Sequence, residues 1–474
     1  MYRDVFRWFF LSALLFGVGC RSADVRPGRL DPGSAPSAPT SDAPSPRPGS
    51  AAFGSMSPKE PQGILTLRAA AALALLHNPS LKTFPYEMRA AEARELQARL
   101  LPNPEIEIEV EEFAGSGQRS GFDAAETTIQ LGQLIESAGK RGKRAAVASL
   151  ERELVRWDYE TARLDVMRQV ARTFVEVLAA QDRLALAEKQ LALSRQAHAA
   201  VVQRVEAGKD SPIVALRAGV AVSRSQIEQQ KAAAALATAR HQLAAAWGGG
   251  TPTFEKATGD LYQVSEPPSL DRAVEMLEEN PDLARWETEQ RKRRAALRLE
   301  KARASPDITI SGGLQRFEET DDEALVFGLA VPLPLFDRNQ GNIAAATAAL
   351  ARTQQASEAA RVKVRTALNA AGNALIATYH EVTILRSDVL PTAQQTFDAA
   401  RQGYEQGKFD YLYVLDAQRT LFETRAQLID SVEAYHKARA DAERLIGRSL
   451  DTLEPPGPAG PAPAQAAKED SHER

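Results

Sequence analysis

The sequence predicts a mainly α-helical protein with a β-barrel part: duplicated long α-helical coiled-coil hairpins plus four transmembrane β-strands per protomer. Three observations predict it. The chain repeats itself at long range, four short segments alternate apolar and polar residues, and the remainder reads as helices whose apolar stripes are too narrow for a thick core. The repeat is visible in pairs of motifs. Asn78-Pro79-Ser80-Leu81 returns as Asn280-Pro281-Asp282-Leu283, and Pro104-Glu105-Ile106 as Pro306-Asp307-Ile308, both 202 positions later (280 − 78; 306 − 104). Gly142 is matched by Gly341 and Gly208-Lys209 by Gly407-Lys408, both at 199 (341 − 142; 407 − 208). A duplicated unit that loses a few residues in one loop explains this register and implies two equivalent halves.

At the start, Arg3 and Arg7 precede an apolar run over 8–18, too short for a comfortable membrane span, so residues 1–20 read as a bacterial export signal. Cys20 is the sole cysteine and follows Gly17-Val18-Gly19, which resembles a lipobox apart from Gly17, where leucine is usual. Lipidation is therefore expected at Cys20. Arg21 follows in place of the aspartate that retains many lipoproteins in the inner membrane, which favours the outer membrane. Residues 21–62 are a Pro/Ser-rich linker expected to be disordered, 63–250 the first repeat, 251–268 an inter-repeat linker, 269–450 the second repeat, and 451–474 a Pro/Ala-rich tail expected to be disordered.

Within each repeat the elements follow one order. Paired short helices come first, at 67–77 with 82–101 and at 270–279 with 283–303, each pair broken at an Asn-Pro because the residue before proline avoids helical geometry. Strands follow at about 105–113 and 125–136, and at about 307–317 and 323–335. Ile106, Ile108 and Val110 alternate with Glu105, Glu107 and Glu109, and Leu325, Phe327 and Leu329 with Val326, Gly328 and Ala330. Polar, Gly-containing loops make one hairpin per half. Little sequence is left to cover the apolar face, and strands of about ten residues suit a tilted membrane crossing. Four strands cannot close a barrel, so the chain must assemble with copies of itself. Long helices then run over 138–207 and 343–406, the second broken or kinked at Pro391. Val147, Leu150, Leu154, Trp157, Leu164, Met167, Val170, Phe174 and Leu178 mark a coiled-coil seam on the first. Turns at Gly208 and Gly407 lead into returning helices over 213–247 and 411–446.

This order, duplicated behind a lipobox, resembles the TolC-type outer-membrane factor family over residues 64–450. The segments Arg401-Gln402-Gly403-Tyr404-Glu405-Gln406-Gly407 and Tyr411-Leu412-Tyr413-Val414-Leu415 carry the likeness. Val331-Pro332-Leu333-Pro334-Leu335-Phe336-Asp337-Arg338-Asn339-Gln340-Gly341 resembles the lipoprotein channels of heavy-metal efflux pumps of the resistance-nodulation-division class. The resemblance implies a homotrimer closing a twelve-stranded barrel in outer-membrane lipid, with a periplasmic α-helical tunnel. It implies a periplasmic adaptor (membrane fusion) protein that contacts the tips, through Gly208, Lys209, Tyr404, Gly407, Lys408, Leu412 and Leu415, and links them to an inner-membrane pump. The first half departs from it, with Val205 in the place of Tyr404 and Ser211-Pro212 after its turn.

The net charge of −4 leaves no nucleic-acid footprint. The six histidines are scattered without ligand spacing, so no metal site and no cofactor are expected, and no nucleophile, phosphate-loop or paired-acid motif points to an enzyme. If Ile106 and Ile108 face lipid, Glu105, Glu107 and Glu109 face the lumen, and threefold repetition makes each a ring of negative charge that favours cations; polar lining of any kind is the plainer reading of the same residues. The function the resemblance implies is an outer-membrane exit for an efflux pump, with heavy-metal cations as a candidate cargo. The alternatives are drug efflux, type I protein secretion, or a lipid-anchored periplasmic coiled-coil scaffold.

Overall fold

The short helices show how the duplicated Asn-Pro motif works. In the computed structural model, which describes residues 62–450 (for 270–272 the backbone alone), α1 spans Leu67–His77 and α2 Phe84–Arg99. Asn78 joins them: its side-chain oxygen accepts from the Ser80 and Leu81 amides at 2.9 and 3.2 Å, and its Nδ2 donates to the Ala246 carbonyl at 2.7 Å. In the second half α5 is Leu270–Glu275, a 3₁₀ turn covers Met276–Glu279, and α6 is Pro281–Arg303. Asn280 caps α6 by accepting from the Asp282 amide at 2.7 Å and donates to the Leu445 carbonyl at 2.5 Å. Asn280 therefore starts a helix, Asn78 starts the 3₁₀ turn Leu81–Thr83 that leads into α2, and each also satisfies a carbonyl at the end of a returning helix.

Strand β1 (Gly63–Leu65) pairs in parallel with β4 (Phe254–Ala257). Strands β2 (Glu105–Glu111), β3 (Glu126–Ile135), β5 (Ile308–Phe317) and β6 (Asp322–Ala330) form one antiparallel sheet in the order β2-β3-β5-β6. The two expected hairpins are thus joined through β3 and β5. β6 stops at Ala330 rather than near 335 because Pro332 and Pro334 cannot donate to a ladder. β2 stops at Glu111, where Glu112 and then Ala114 turn to positive φ.

The long helices are α3 (Lys140–Glu206), α4 (Pro212–Ala245), α7 (Gln340–Ile384), α8 (Leu390–Glu405) and α9 (Tyr411–Ile446). α3, with 67 residues, is about 100 Å long. Between α7 and α8 the chain is π-helical over Leu385–Val389. Pro391 lacks the amide that would bond one turn back, and the widened turn absorbs the loss, so the break expected at Pro391 takes the form of this π-helical turn.

Three apolar clusters hold the helices. The first gathers Leu65, Phe174, Val177, Leu243, Trp247 and Phe254 around the middle of α3. The second joins Leu277, Leu283, Leu368, Leu375, Tyr435 and Ile446. The third, near the Gly turns, contains Val201, Ala218, Phe397, Tyr404, Tyr411 and Leu421. The stretch between the repeats, expected as a linker, is packed: Phe254 and Leu261 are buried, the Tyr435 hydroxyl donates to the Ser265 carbonyl at 2.8 Å, and His436 Nε2 donates to the Leu261 carbonyl at 2.8 Å. Burial pushes the His436 imidazole down from its ordinary value. Cys20, the export signal, nearly all of the first linker and the tail after 450 lie outside the described residues.

Candidate functional site

The sheet separates two kinds of side chain. Cross-strand register places Ile106, Leu131, Gly312 and Phe327 in one row and Ile108, Ile129, Leu314 and Leu325 in the next, all on one face. The intervening rows, Glu105-Gly132-Ser311-Gly328, Glu107-Gln130-Gly313-Val326 and Glu109-Thr128-Gln315-Ala324, occupy the other. Alternation in single strands becomes, through register, one apolar face and one largely polar face.

Among the described residues nothing covers the apolar face: Ile106 is 72% exposed, Phe327 75% and Leu325 79%. Burying a large apolar side chain is worth about 1.5 to 3 kcal/mol, so Ile106, Ile108, Leu131, Leu325, Phe327 and Leu329 together forfeit roughly 9 to 18 kcal/mol in water. That rivals the whole stability of an ordinary domain. On the other face Gln130 Nε2 donates to Glu107 Oε2 at 2.7 Å and Gln315 Nε2 to Glu126 Oε2 at 2.8 Å, so carboxylates there are oriented by neighbouring strands. Gly313 is required in this sheet, because a Cβ would overlap the Ile129 carbonyl oxygen and come 2.6 Å from Gln130 Cα. Among the described residues β2 and β6 are the outer strands of this sheet, each with one unpaired edge.

The two Gly turns share one geometry. Gly208 and Gly407 have φ of +70° and +73°. The Lys209 amide donates to the Arg204 carbonyl and the Lys408 amide to the Gly403 carbonyl, both at 2.8 Å, while the Gly208 and Gly407 amides donate to Val205 and Tyr404. These are paired Schellman caps, which need a residue free to turn left-handed. Gly208, Lys209, Gly407, Lys408 and Leu412 are exposed and Leu415 is half-buried.

Tyr404 departs from expectation. It is buried against the other hairpin rather than presented outward, with its hydroxyl donating to Asp210 Oδ2 at 2.6 Å and the Arg204 guanidinium 4.6 Å over its ring. Arg204 Nε also donates to Asp210 at 2.8 Å. Hydrogen bonds from Arg204 and Tyr404 hold the Asp210 carboxyl below its ordinary value, while burial and then Asp210 push the Tyr404 phenol up to about 12. Sequence reading passed over Arg204 and Asp210. The signal available was Val205 opposite Tyr404 in the repeat, which marks the tips as unlike but does not reveal that one reaches into the other.

Among the described residues no helix is long and apolar enough to cross a membrane, and no group of three or more His, Cys, Asp or Glu is placed to hold a metal ion.

Comparison with known proteins agrees with this architecture. The pattern of the outer membrane efflux protein family matches residues 70–249 and 273–448, one stretch in each repeat. The chain is 36% identical over 391 residues to the cobalt-zinc-cadmium resistance protein CzcC of Cupriavidus metallidurans, covering 82% of this chain and 92% of that protein. It is 27% identical over 300 residues to the nickel-cobalt-cadmium resistance protein NccC of Alcaligenes xylosoxydans xylosoxydans, covering 63% and 68%. A crystal structure of CusC superposes with a TM-score of 0.69 over 81% of this chain and 92% of that one, at 19% identity, a likeness of fold.

Proposed function

The chain belongs to the outer membrane efflux protein family, and from that premise we propose that three copies form a passive outer-membrane exit for heavy-metal cations. An inner-membrane pump of the resistance-nodulation-division class delivers the cargo, and a periplasmic adaptor docks at the hairpin tips. The observation that carries the reading is the sheet: a bare apolar face, a carboxylate-bearing opposite face and two open edges. In lipid each unpaired backbone group costs several kcal/mol, so the edges must meet those of other copies. Closure turns the apolar face to lipid and repeats Glu105, Glu107 and Glu109 around the lumen.

No step requires catalysis by this chain. Energy enters at the pump, and the channel supplies a polar path whose field favours positive charge. The metal preference rests on the cobalt, zinc and cadmium named for the 36%-identical relative together with those carboxylates. Planar-bilayer recordings in a gradient of cobalt or zinc salt test both parts. The wild type is expected to pass current with a reversal potential on the cation side, and Glu107→Gln with Glu109→Gln to move it toward zero. Absence of conductance would remove the channel, and an unmoved reversal potential would remove the acidic rings.

A further inference from the structure

We propose that, given the lipid-facing barrel proposed above, the junction between sheet and helices is a collar that binds anionic phospholipid of the periplasmic leaflet. Leu333, Leu335 and Phe336 enter its acyl layer, and Arg141, Lys301 and Arg338 meet its headgroup phosphates. All four strands join helices at one end of the sheet: α2 leads into β2 and α6 into β5, while β3 runs into α3 and β6 into α7. The other end carries the two hairpin loops. The helical end is therefore the periplasmic one, and the residues just beyond it stand at the level of that leaflet's headgroups.

The loop between β6 and α7 presents its apolar side chains on a fixed backbone. Val331, Leu333 and Leu335 continue the odd-numbered stripe of Leu325, Phe327 and Leu329 beyond the point where Pro332 and Pro334 end the ladder. Leu333, Leu335 and Phe336 are 74%, 64% and 91% exposed. The Leu335 amide donates to the Leu333 carbonyl at 2.9 Å, Gln340 Nε2 to the Phe336 carbonyl at 3.1 Å, and the Arg338 amide to Gln340 Oε1 at 2.8 Å. Asn339, at φ +59°, ties the loop to the end of α6, its Nδ2 donating to the Glu300 carbonyl and to Glu300 Oε2, both at 2.8 Å. A loop closed by its own bonds thus holds three large apolar side chains outward, continuous with the face of β6 that meets lipid.

Charge selects anionic lipid as the occupant. The carboxylates beside the collar are engaged within the chain: Asp307 with Lys140 at 2.7 Å, Glu136 with Arg144 at 2.5 Å, Glu300 with Arg303 at 2.7 Å, and Asp337 with the Asn339 amide at 2.8 Å. Arg141, Lys301 and Arg338 are exposed and, among the described residues, have no carboxylate partner. Arg338 Nη2 reaches the Leu335 carbonyl at 3.5 Å, so its charge stands beside the apolar loop. Lys301 follows Glu300, which anchors that loop, and Arg141 opens α3. A basic surplus next to exposed apolar side chains suits a lipid interface, where stems lie along acyl chains and charges among phosphates. A second copy offers no matching negative surplus, because its carboxylates at this level are engaged in the same way or, for Glu105, turned to the polar face of the sheet.

The test returns the extracted full chain to nanodiscs of phosphatidylethanolamine and phosphatidylglycerol in equal parts. Lipids that stay with it after brief detergent washing are then identified by mass spectrometry. The wild type is expected to retain phosphatidylglycerol over phosphatidylethanolamine by roughly fivefold or more, and Arg141→Gln, Lys301→Gln and Arg338→Gln together to retain the two equally. The same loss of charge near the tips, Arg217→Gln with Arg224→Gln and Arg401→Gln, is expected to leave the preference intact. Phe336→Trp reads the apolar side separately, its added fluorescence being quenched by lipids brominated on the acyl chains. An inserted protein with no preference, a preference abolished equally by the tip substitutions, or added fluorescence that stays unquenched because another chain covers the loop would each overturn the collar and leave the channel standing. A chain that enters no nanodisc would overturn the barrel reading itself.

Discussion

At the scale of single residues, the duplicated asparagines do more than their Asn-Pro context suggests. Asn280 is completely buried and holds the α6 amide end and the Leu445 carbonyl at once, and beside it Arg444 reaches Asp165 at 2.7 Å as well as Asp282. Asn280→Ala removes a cap and orphans a buried carbonyl, a cost of about 2 to 3 kcal/mol. Asn78 makes the same contacts half-exposed, where water can replace a lost partner, so Asn78→Ala is expected to cost less. Heat-induced loss of the helical circular-dichroism signal ranks the two, and equal or inverted losses would contradict the clamp. The Asn-Pro break was legible in the sequence from proline's effect on its neighbour. The clamp was not, because Ala246 and Leu445 lie more than 160 residues away in the chain.

At the scale of elements, the tips are one unit rather than two. Tyr404 on α8 is bonded to Asp210 in the first hairpin's turn, so the second hairpin cannot swing outward without breaking a charge-assisted bond worth about 1.5 to 3 kcal/mol. Tyr404→Phe keeps the packing and removes the bond. It is expected to raise the resting conductance of the isolated channel, and an unchanged conductance would show that the bond does not restrain the tips. Mild acid is not expected to mimic the substitution. Asp210's carboxyl is depressed from 3.8, so its contribution is complete above that value and is lost only as pH falls through the lowered one. Tyr404 titrates only near 12. The long helices, their Gly turns and the break at Pro391 were legible because periodicity and backbone chemistry are local. The end of β6 was misjudged because apolar alternation runs on through Leu333 and Leu335 while Pro332 and Pro334 end the ladder. The packing of residues 254–265 was missed because its partners, Gln181, Tyr435 and His436, belong to distant helices.

At the scale of the whole molecule, the repeat and the alternating strands carried the fold, and the register of the sheet supplied what single strands could not: which residues share a face. Among the described residues that face is bare and two strand edges are open, and the proposed trimer in lipid is the arrangement that would cover the one and pair the other. The most direct measurement is the detergent-extracted mass of the Cys20→Ala protein from the outer-membrane fraction, with and without heating. A species of three chains that needs detergent before heating and falls to one chain after it is the expected result, because strands rather than a lipid anchor then hold the protein in the membrane. A single chain released into buffer would contradict the barrel and leave a periplasmic helical scaffold in its place.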